Sequence, residues 1–587
     1  MKLVFAALGL AVSMALAPTA RAQSASATLT RLFADERAAV YSADPMTATY
    51  AGVHDYDDRL ASVTPQAQSA QAAADRGFIQ RLHAIDRNAL TAQEQVSYDL
   101  FDFMVGERVR FAQYNEWRLP FNSDSGFYSD LVILNQSQPL RTTHDYENYI
   151  ARMNEYPRYF REQIANLRQG VRAGFTLPAE IGEGVARVID GMHWARPEDM
   201  ELWAPFATFP ASVPQGDRAR LTEAGRAAIA NSVIPSFDQF RTFFDNEYRP
   251  HMRRTIAATS LPNGRAYYAD LVRYFTTLPD ATPEAVHRTG LAEVARIHAE
   301  MNEVMAETHF NGTFAQFLAF LRTDPQFYPT SAQDLLGRAA LITREIDGHL
   351  PQYFGHLPRT PYTVKPVPEA FAPNYTAGRY NPGPTGSAGT YWVNTYALNT
   401  RPLYALPALT AHEAAPGHHI QGAIARELTG LPDFRLNFYP NAFGEGWGLY
   451  SERLAGEMGI YHTPYEHFGQ LSYEMWRACR LVVDTGMHSM GWTRQQAIDY
   501  LAANTALSSH EIQTEVDRYI GWPGQALAYK TGEMEILALR HHAEETLGPR
   551  FDIRVFHDAV LANGGVTLPV LRRQIDAYIA SARAEAH

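Results

Sequence analysis

The feature that most restricts the fold is a proline-rich stretch between Leu357 and Gly389, which holds seven prolines among glycines and tyrosines. Because proline lacks a backbone N–H and its ring clashes with the preceding helical turn, this stretch cannot be the interior of a helix. We interpret it as an extended connector. It leads into a short aromatic and β-branched run, residues 390–395, which we predict to be a strand.

Helical patterns lie on both sides of this connector. On the N-terminal side, apolar residues recur at three- and four-residue spacing, as in Tyr149–Gly170 and Thr282–Glu307, and the pattern returns from Leu406 onward. The sequence therefore predicts a mainly α fold, a large helical body with a small β-sheet beside the active-site helix. It divides into an N-terminal helical region, 23–355, and a catalytic region, 356–587.

Composition excludes several classes of protein. Hydrophobic residues make up 46% of the 587 residues and charged residues only 19%, which excludes a largely disordered chain. The net charge is −12 and no basic run occurs, so nucleic acid is not expected as a partner. The one cysteine, Cys479, cannot form an internal disulfide or a cysteine-rich metal site. Any metal must therefore be held by histidine and carboxylate ligands.

The N-terminus has the layout of a secretory signal peptide. Lys2 precedes an apolar run from Leu3 to Ala17, and a small-x-small site, Ala20-Arg21-Ala22, follows it. The run is shorter than the roughly 20 residues that span a bilayer. We predict that residues 1–22 are removed near Ala22. The mature chain would then be periplasmic or secreted, with no membrane partner.

Histidines and a glutamate cluster at 412–419. In many zinc hydrolases a His-Glu pair and a second histidine one helical turn later hold the metal, and the glutamate activates water. Here His412-Glu413 forms the pair, but Pro416 occupies the place of the second histidine, and His418 and His419 follow it. The alternative is a helix that ends at the proline and carries surface histidines. These residues alone favour neither metal binding nor this alternative.

A second acidic cluster favours the metal. Glu445 and Glu452 are seven residues apart and share one helical face with Leu449, so this face points inward. Two carboxylates on an inward face are costly unless a metal or a histidine pairs with them. The two clusters together supply two histidines and a glutamate as three zinc ligands and leave a fourth position for water, as in catalytic zinc sites.

Several motifs resemble known families. The stretch Glu445-Gly-Trp-Gly-Leu-Tyr-Ser-Glu452 is similar to the Glu-Gly-Phe-Ala-x-Tyr-x-Glu of the aminopeptidase N group of gluzincins. The whole chain resembles a bacterial family known only as domain of unknown function 885. The motifs that carry this second resemblance are Gly-Thr-Tyr-Trp-Val-Asn-Thr (389–395), His-Glu-Ala-Ala-Pro-Gly-His-His (412–419), Glu445-Gly-Trp, Val-Asp-Thr-Gly-Met-His (483–488) and Arg-Tyr-Ile-Gly-Trp-Pro-Gly-Gln-Ala (518–526).

The resemblance implies a predominantly helical, gluzincin-like zinc metallopeptidase. It implies Glu445 as the third ligand and Glu452 as its support. In helical gluzincins such as thimet oligopeptidase and angiotensin-converting enzyme, a late tyrosine or histidine stabilises the oxyanion, and Tyr519 and Tyr529 are the candidates here. The spacing in this family leaves His418 and His419 as alternatives for the second ligand.

We predict His418 as the ligand. A straight helix returns His419 to the face of His412 but separates the two by about 10.5 Å along its axis. A turn widened at Pro416 and Gly417 brings His418 nearer, as π-bulges do. His419 would then point into a hydrogen bond or the substrate groove.

Further residues are candidates for supporting the site or binding substrate. Asp484 and His488, four apart on a helix, could form a pair behind the metal ligands. The strand at 390–395 could pair with a substrate backbone. The candidates for substrate binding are Tyr391, Trp392, Asn394, His419, Lys530 and Arg540, with Arg480 and His488 as further candidates for a terminal carboxylate.

The function expected from these residues is that of a secreted zinc-dependent peptidase acting on short peptides. Glu413 would be the general base that deprotonates a metal-activated water and then passes the proton to the leaving amine. Two alternatives stay open: a non-catalytic periplasmic protein with a vestigial or structural metal site, and a metal-dependent hydrolase of a non-peptide amide or ester. The sequence specifies neither the peptide, nor the end that is cut, nor the oligomeric state.

Overall fold

The computed structural model describes the backbone of residues 5–584 except 124, 370–371, 373–374, 384–385 and 437, and the side chains from residue 23 onward. The predicted signal peptide, residues 1–22, lies outside the part whose side chains are described. Within the described residues, no helix combines the length and the apolar character that a membrane span requires.

Helices dominate the chain. The first twelve are α1 (Phe5–Ala43), α2 (Pro45–Tyr50), α3 (Pro65–His83), α4 (Ala92–Phe111), α5 (Thr143–Asn154), α6 (Tyr156–Ala173), α7 (Gly182–Asp190), α8 (Ala204–Ala207), α9 (Gln215–Ala228), α10 (Ile234–Phe243), α11 (Gly264–Thr276) and α12 (Pro283–Glu307). The next twelve are α13 (Phe314–Thr323), α14 (Ala332–Tyr353), α15 (Leu406–Glu413), α16 (His418–Glu427), α17 (Asp433–Leu436), α18 (Asn441–Glu457), α19 (Pro464–Ser489), α20 (Arg494–Asn504), α21 (Ser509–Gly521), α22 (Ala528–Leu547), α23 (Ile553–Leu561) and α24 (Leu568–Ala584).

Local signals set the ends of the long helices. Thr282 caps α12, since its side chain accepts a hydrogen bond from the backbone of Ala285, and Pro283 occupies the first turn. Thr463 and Glu466 form a reciprocal capping box at the start of α19. The predicted helix over 149–170 is instead split between α5 and α6 at Glu155.

The sheet is small and has three strands, β1 (Tyr362–Pro366), β2 (Gly378–Asn381) and β3 (Gly389–Val393). Their order is β1-β3-β2, with β1 parallel and β2 antiparallel to β3. The predicted strand is β3. The proline-rich connector contains β1 and β2, which the sequence analysis missed because both strands are short and lie among prolines and glycines. The predicted mainly α fold with a small β-sheet is confirmed.

Two large hydrophobic clusters form the core. Each contains residues from both the N-terminal and the C-terminal side of the connector. One joins Tyr149 and Ile297 to Val482 and Tyr519, and the other joins Leu29 and Phe101 to helices near the C-terminus. Close helix crossings occur at glycines: a Cβ at Gly290 of α12 would lie 2.7 Å from the Cβ of Leu481 of α19. The boundary predicted near residue 355 stays a prediction.

Candidate metal centre

The chain breaks sharply between His412 and His418. Helix α15 ends at Glu413 and α16 begins at His418, with a turn between them. The turn folds back on α15, because the N–H of Gly417 donates to the carbonyl of Ala411 at 2.9 Å. A side chain at Gly417 would come within 1.9 Å of the His412 carbonyl oxygen, so only glycine fits. The prediction of one continuous helix with a widened turn is therefore wrong, since two separate helices meet here.

This break brings His418 beside His412. Their ring centroids are 4.7 Å apart and their planes nearly perpendicular. Glu445 projects from α18 toward both: its Oε2 lies 3.7 Å from His412 Nε2 and 3.6 Å from His418 Nε2. Ligands bound to one zinc ion at 2.0–2.2 Å in tetrahedral geometry lie about 3.4 Å apart. Two of the three distances between ligand atoms are thus close to those around a zinc ion, and all three ligand atoms lie within 4.8 Å of one another.

The ring of His412 is fixed from behind. Its Nδ1–H donates to Glu452 Oε1 at 2.8 Å, and Glu452 is fully buried on the same face of α18 as Glu445. This bond fixes the ring so that Nε2 faces Glu445. Carboxylates placed behind a metal-binding histidine orient the ring and increase its basicity. Arg477 Nη2 lies 3.3 Å from the same Glu452 oxygen and balances its charge.

The electrostatics are those of a site that concentrates negative charge around two imidazoles. Burial alone lowers the pKa of His412, but Glu445 and Glu452 raise this pKa to about 10. Burial alone raises the pKa of Glu445, but His412 and His418 hold it well below its usual value. The two rings thus neutralise a carboxylate that burial would otherwise disfavour, a role that a divalent cation performs more strongly.

Three alternating glycines let α18 carry this site. A Cβ at Gly444 would meet the ring of Tyr439 at 2.1 Å, and one at Gly446 would meet Gly532 of α22 at 2.5 Å. A Cβ at Gly448 would lie 2.7 Å from Cε1 and 2.8 Å from Nε2 of His412. The glycines around Glu445 therefore admit a tyrosine ring, a helix and a ligand ring.

Glu413 lies at the end of α15 and is half-buried. Its Oε2 accepts a hydrogen bond of 2.8 Å from the backbone N–H of Tyr380 in strand β2. Among the described residues β2 is an edge strand, because it pairs only with β3. The small sheet thus lies beside the helix that bears His412 and Glu413, where it was predicted.

His419 faces away from the ligand set. Its Nδ1 lies 3.1 Å from the hydroxyl of Tyr380, and its ring packs on Tyr362 with centroids 4.4 Å apart. Burial lowers the pKa of His419 to about 4. The residue is thus a buried neutral histidine beneath the sheet, and the expected role in the substrate groove is not supported by its position.

The two tyrosines predicted to stabilise an oxyanion have different surroundings. Tyr519 is 1% exposed, and its hydroxyl accepts hydrogen bonds of 2.9 Å from Trp476 and Arg480, so it faces no open space. Tyr529 is 9% exposed and packs on Leu449, one turn after Glu445. Of the two, only Tyr529 lies along the face of α18 that carries the ligand.

Tyr439 was missed by the sequence analysis. Its hydroxyl lies 3.4 Å from Glu445 Oε1 and its ring is half-exposed. Desolvation, followed by the charges of Glu445, Tyr529 and Glu413, raises the pKa of this hydroxyl well above its usual value. The only signal was an aromatic residue directly before Pro440, where the ligand helix begins.

Asp484 and His488 do not pair with each other or with a metal ligand. Asp484 accepts hydrogen bonds from the Tyr268 hydroxyl at 2.6 Å and the Gly524 N–H at 3.1 Å. His488 accepts from the N–H of Ala258 through Nδ1 and donates to a backbone carbonyl through Nε2. Burial raises the pKa of Asp484 to about 7 and lowers that of His488 to about 3. Both join helices, so the predicted role behind the metal is corrected.

Lys530 and Arg540 are also placed away from substrate. Lys530 is fully buried, with Nζ 2.6 Å from Glu474 and 3.1 Å from Glu293. Arg540 pairs with Glu457 and Glu544, both at 2.8 Å. These contacts use the donors that a peptide carboxylate would need. Substrate binding by either residue is not supported by the structure.

The strand residues have structural roles too. Because β3 is the central strand, both its edges are paired and it cannot add a substrate strand. Tyr391 is fully buried with its hydroxyl 3.3 Å from Thr410 Oγ1, and Trp392 packs near Tyr375. Asn394 donates to three carbonyls of residues 372–376. The predicted pairing at 390–395 is therefore corrected, and the edge near Glu413 belongs to β2.

A cavity of about 1460 Å³ opens beside the ligand set. Tyr439, Pro440 and Asn441, at the start of α18, form part of its wall. Residues of α4, α11 and the loop after α21 also line the cavity. His412, His418 and Glu445 are not part of this wall, but Tyr439, which is, has its hydroxyl 3.4 Å from Glu445 Oε1.

Comparison with known proteins gives one family. A family model described as "Bacterial protein of unknown function (DUF885)" matches residues 45–575. No curated protein is significantly similar to the chain. A Colwellia psychrerythraea protein, provisionally described as a lipoprotein, is 27% identical, with a TM-score of 0.87 over 95% of this chain and 100% of its own. A Shewanella oneidensis protein, provisionally described as a lipoprotein of unknown function, is 19% identical, with a TM-score of 0.70 over 93% of this chain and 98% of its own, and shares the fold alone.

Proposed function

The chain belongs to the DUF885 family, and we propose that it is an exported zinc-dependent peptidase that hydrolyses short peptides. The observation that carries the proposal is the set of His412, His418 and Glu445, whose ligand atoms all lie within 4.8 Å of one another. The predicted signal peptide and the lipoprotein description of the Colwellia psychrerythraea protein agree with export.

The donor set favours zinc over other common metals. Two imidazole nitrogens and one carboxylate oxygen are the ligands of many catalytic zinc sites, whereas calcium and magnesium prefer oxygen alone. A bound zinc ion would acidify a water molecule and polarise a carbonyl group. The hydrogen bond from His412 Nδ1 to Glu452 supports this assignment, because it presents Nε2 outward.

Different side chains and backbone groups of the protein would then transfer the proton, stabilise the oxyanion and bind the peptide. Glu413, next to His412 but outside the ligand set, would accept the proton of the attacking water and return it to the leaving amine. The hydroxyl of Tyr439 lies 3.4 Å from Glu445 Oε1, and Tyr529 packs on Leu449 one turn further along α18. These two hydroxyls would donate to the carbonyl oxygen on which negative charge develops. The edge of β2 offers backbone groups to an extended peptide. Tyr380, on that edge, holds Glu413 in place through its N–H.

The proposal is tested with the exported protein and a mixed library of short peptides. We expect about one zinc per chain by elemental analysis and new termini in the digests by mass spectrometry. Zinc without any cleaved peptide would indicate the non-catalytic alternative. Cleavage of amides or esters but of no peptide would indicate the non-peptide hydrolase. Absence of zinc binding at micromolar zinc would overturn the metal centre itself.

A further inference from the structure

Three arginines form a partly buried cluster beside the ligand set. Arg477 and Arg480 come from α19 and Arg518 from α21, and we call them the arginine cluster. Their side chains are 6%, 2% and 20% exposed. Buried guanidinium groups are costly unless their charge and their hydrogen-bond donors are satisfied.

The acidic partners do not balance this charge. Glu515 pairs with Arg480 at 2.9 Å and with Arg518 at 3.3 Å. Glu452, the partner of Arg477, already accepts the hydrogen bond of His412. Glu511 also interacts with Arg477 and Arg480, together with a fourth arginine, Arg401. Four positive charges thus share three carboxylates, one of which already accepts the hydrogen bond of His412.

Two buried donors in the cluster also lack a partner. Arg477 Nε and Arg480 Nη1 are buried and form no hydrogen bond with any residue that the structure describes. Arg480 is held rigidly, since its guanidinium carbon lies 4.2 Å from the centroid of the Trp476 ring and 4.4 Å from that of Tyr529. A fixed guanidinium with a spare donor suits recognition of a planar anion.

The cluster lies within reach of the metal ligands. Only one carboxylate oxygen separates Arg477 Nη2 from the ring of His412. Tyr529, which covers Arg480, packs on Leu449 next to Glu445 on α18. The Glu452 oxygen between Arg477 and His412 lies 2.8 Å from His412 Nδ1 and 3.3 Å from Arg477 Nη2. Because an extended peptide spans about 3.3–3.6 Å per residue, Arg477 is about two residues away from the ligand set.

We propose that the arginine cluster binds the terminal carboxylate of a peptide substrate, so that cleavage occurs near the C-terminal end. This inference rests on the proposed function, because it identifies the substrate class of the same site. The carboxylate supplies the missing negative charge, and its two oxygens accept from the spare donors of Arg480 and Arg477. Substrates would therefore be short peptides with a free C-terminus.

The first experiment compares one cleaved library peptide as the free acid and as the C-terminal amide. We expect kcat/KM to be at least tenfold higher for the acid, mainly through KM, and the new C-terminus to lie within three residues of the end. Equal rates for both forms, or cleavage only near the N-terminus, would overturn the proposal. Chloride that stimulates both forms equally would also overturn it, because the cluster would then bind an inorganic anion.

The matched variants are Arg480→Lys and Arg152→Lys. Both replace a buried arginine, but Arg152 lies on α5 and pairs with Asp57, far along the chain from the site. We expect Arg480→Lys to reduce the acid-to-amide ratio to near one, while Arg152→Lys keeps it. Should Arg480→Lys not fold, Arg518→Gln, at the exposed side of the cluster, must reduce the ratio at least threefold. An unchanged ratio in a folded cluster variant would refute the assignment.

A binding measurement separates this inference from the peptidase proposal. Calorimetric titration of wild type with alanylalanine and with its amide requires no turnover. Binding of the acid at least tenfold tighter than the amide would support the cluster even if no peptide were cleaved. Equal binding of the two forms would refute the cluster even in an active peptidase.

Discussion

Replacement of Gly448 by alanine should remove the metal without unfolding the protein. A Cβ at this position would lie 2.7, 2.8 and 3.0 Å from the Cε1, Nε2 and Nδ1 atoms of His412. Ordinary carbon contacts are about 3.5–4.0 Å, so the ring must move by about 0.8 Å or more. Ligand atoms tolerate errors of only about 0.2 Å around zinc, so the movement displaces Nε2 from its bonding position.

The ring has little room to escape, because Nδ1 is bonded to the buried Glu452 on its other side. We therefore expect the zinc affinity of Gly448→Ala to be at least tenfold lower, about 1.4 kcal/mol or more. The helix itself should gain about 0.5–1 kcal/mol from alanine, which partly offsets the clash in the metal-free protein. Loss of metal and loss of fold are thus separable.

The matched control is Gly456→Ala on the same helix, where the nearest contact of a Cβ would be the Tyr461 ring at 3.4 Å. Zinc affinity is measured by competition with a chromophoric chelator, and stability by urea unfolding in the presence of a chelator. Gly456→Ala should bind zinc like wild type. If Gly448→Ala binds zinc as tightly as this control, the close approach of the His412 ring to α18 is not the metal-binding geometry.

Three further predictions concern Glu413, the neighbouring histidines His418 and His419, and Lys530. Glu413→Gln should keep its zinc by elemental analysis and lose at least about a hundredfold in turnover of a library-derived peptide, since a general base contributes roughly 10²–10⁴; near-wild-type turnover would contradict this. His418→Ala should lose zinc and His419→Ala should retain it, and the opposite pattern would show that the turn is wrongly understood. Lys530→Met should lower the free energy of unfolding by about 3–5 kcal/mol in urea with zinc content unchanged, because the buried carboxylates of Glu474 and Glu533 both lose their ion pair with Lys530; a loss under about 1 kcal/mol would mean that Lys530 is not needed there.

The fold class was predictable because helices leave signals within their own segments of the sequence. Spacing of apolar residues and the capping threonines indicate where α12 and α19 lie, and neither signal needs tertiary information. Strands β1 and β2 were not predictable in the same way. Each is short, lies among prolines and glycines, and exists only because β3 supplies its hydrogen bonds.

The ligand residues could be proposed from their types, but not their geometry. Sequence spacing suggested one distorted helix from His412 to His418, whereas the structure has two helices joined by a turn. That turn depends on contacts with other elements: Trp447 of α18 donates through Nε1 to the carbonyl of Pro416 at 2.9 Å. Such a contact, between residues 31 positions apart, leaves no periodic signal.

Charged residues misled the sequence analysis for the same reason. Lys530 and Arg540 looked available to a carboxylate because their partners lie on other helices, Glu474 on α19 and Glu457 on α18. Arg480, by contrast, also has an acidic partner, yet it keeps a donor free. Whether a buried cation serves structure or ligand depends on counting its donors, which only the structure permits.

One face of α18 explains why the candidate site needs so few residues. Positions 445, 448 and 452 follow each other at helical spacing and act on a single imidazole ring. Glu445 Oε2 lies 3.7 Å from His412 Nε2 and would share a metal with it, Gly448 leaves room for the His412 ring, and Glu452 accepts from its Nδ1. Contact with the His412 ring thus determines which residue type each of these three positions needs. A substitution at any of these three positions should therefore act on metal binding through the placement of His412, and pairs of such substitutions should be non-additive in zinc affinity.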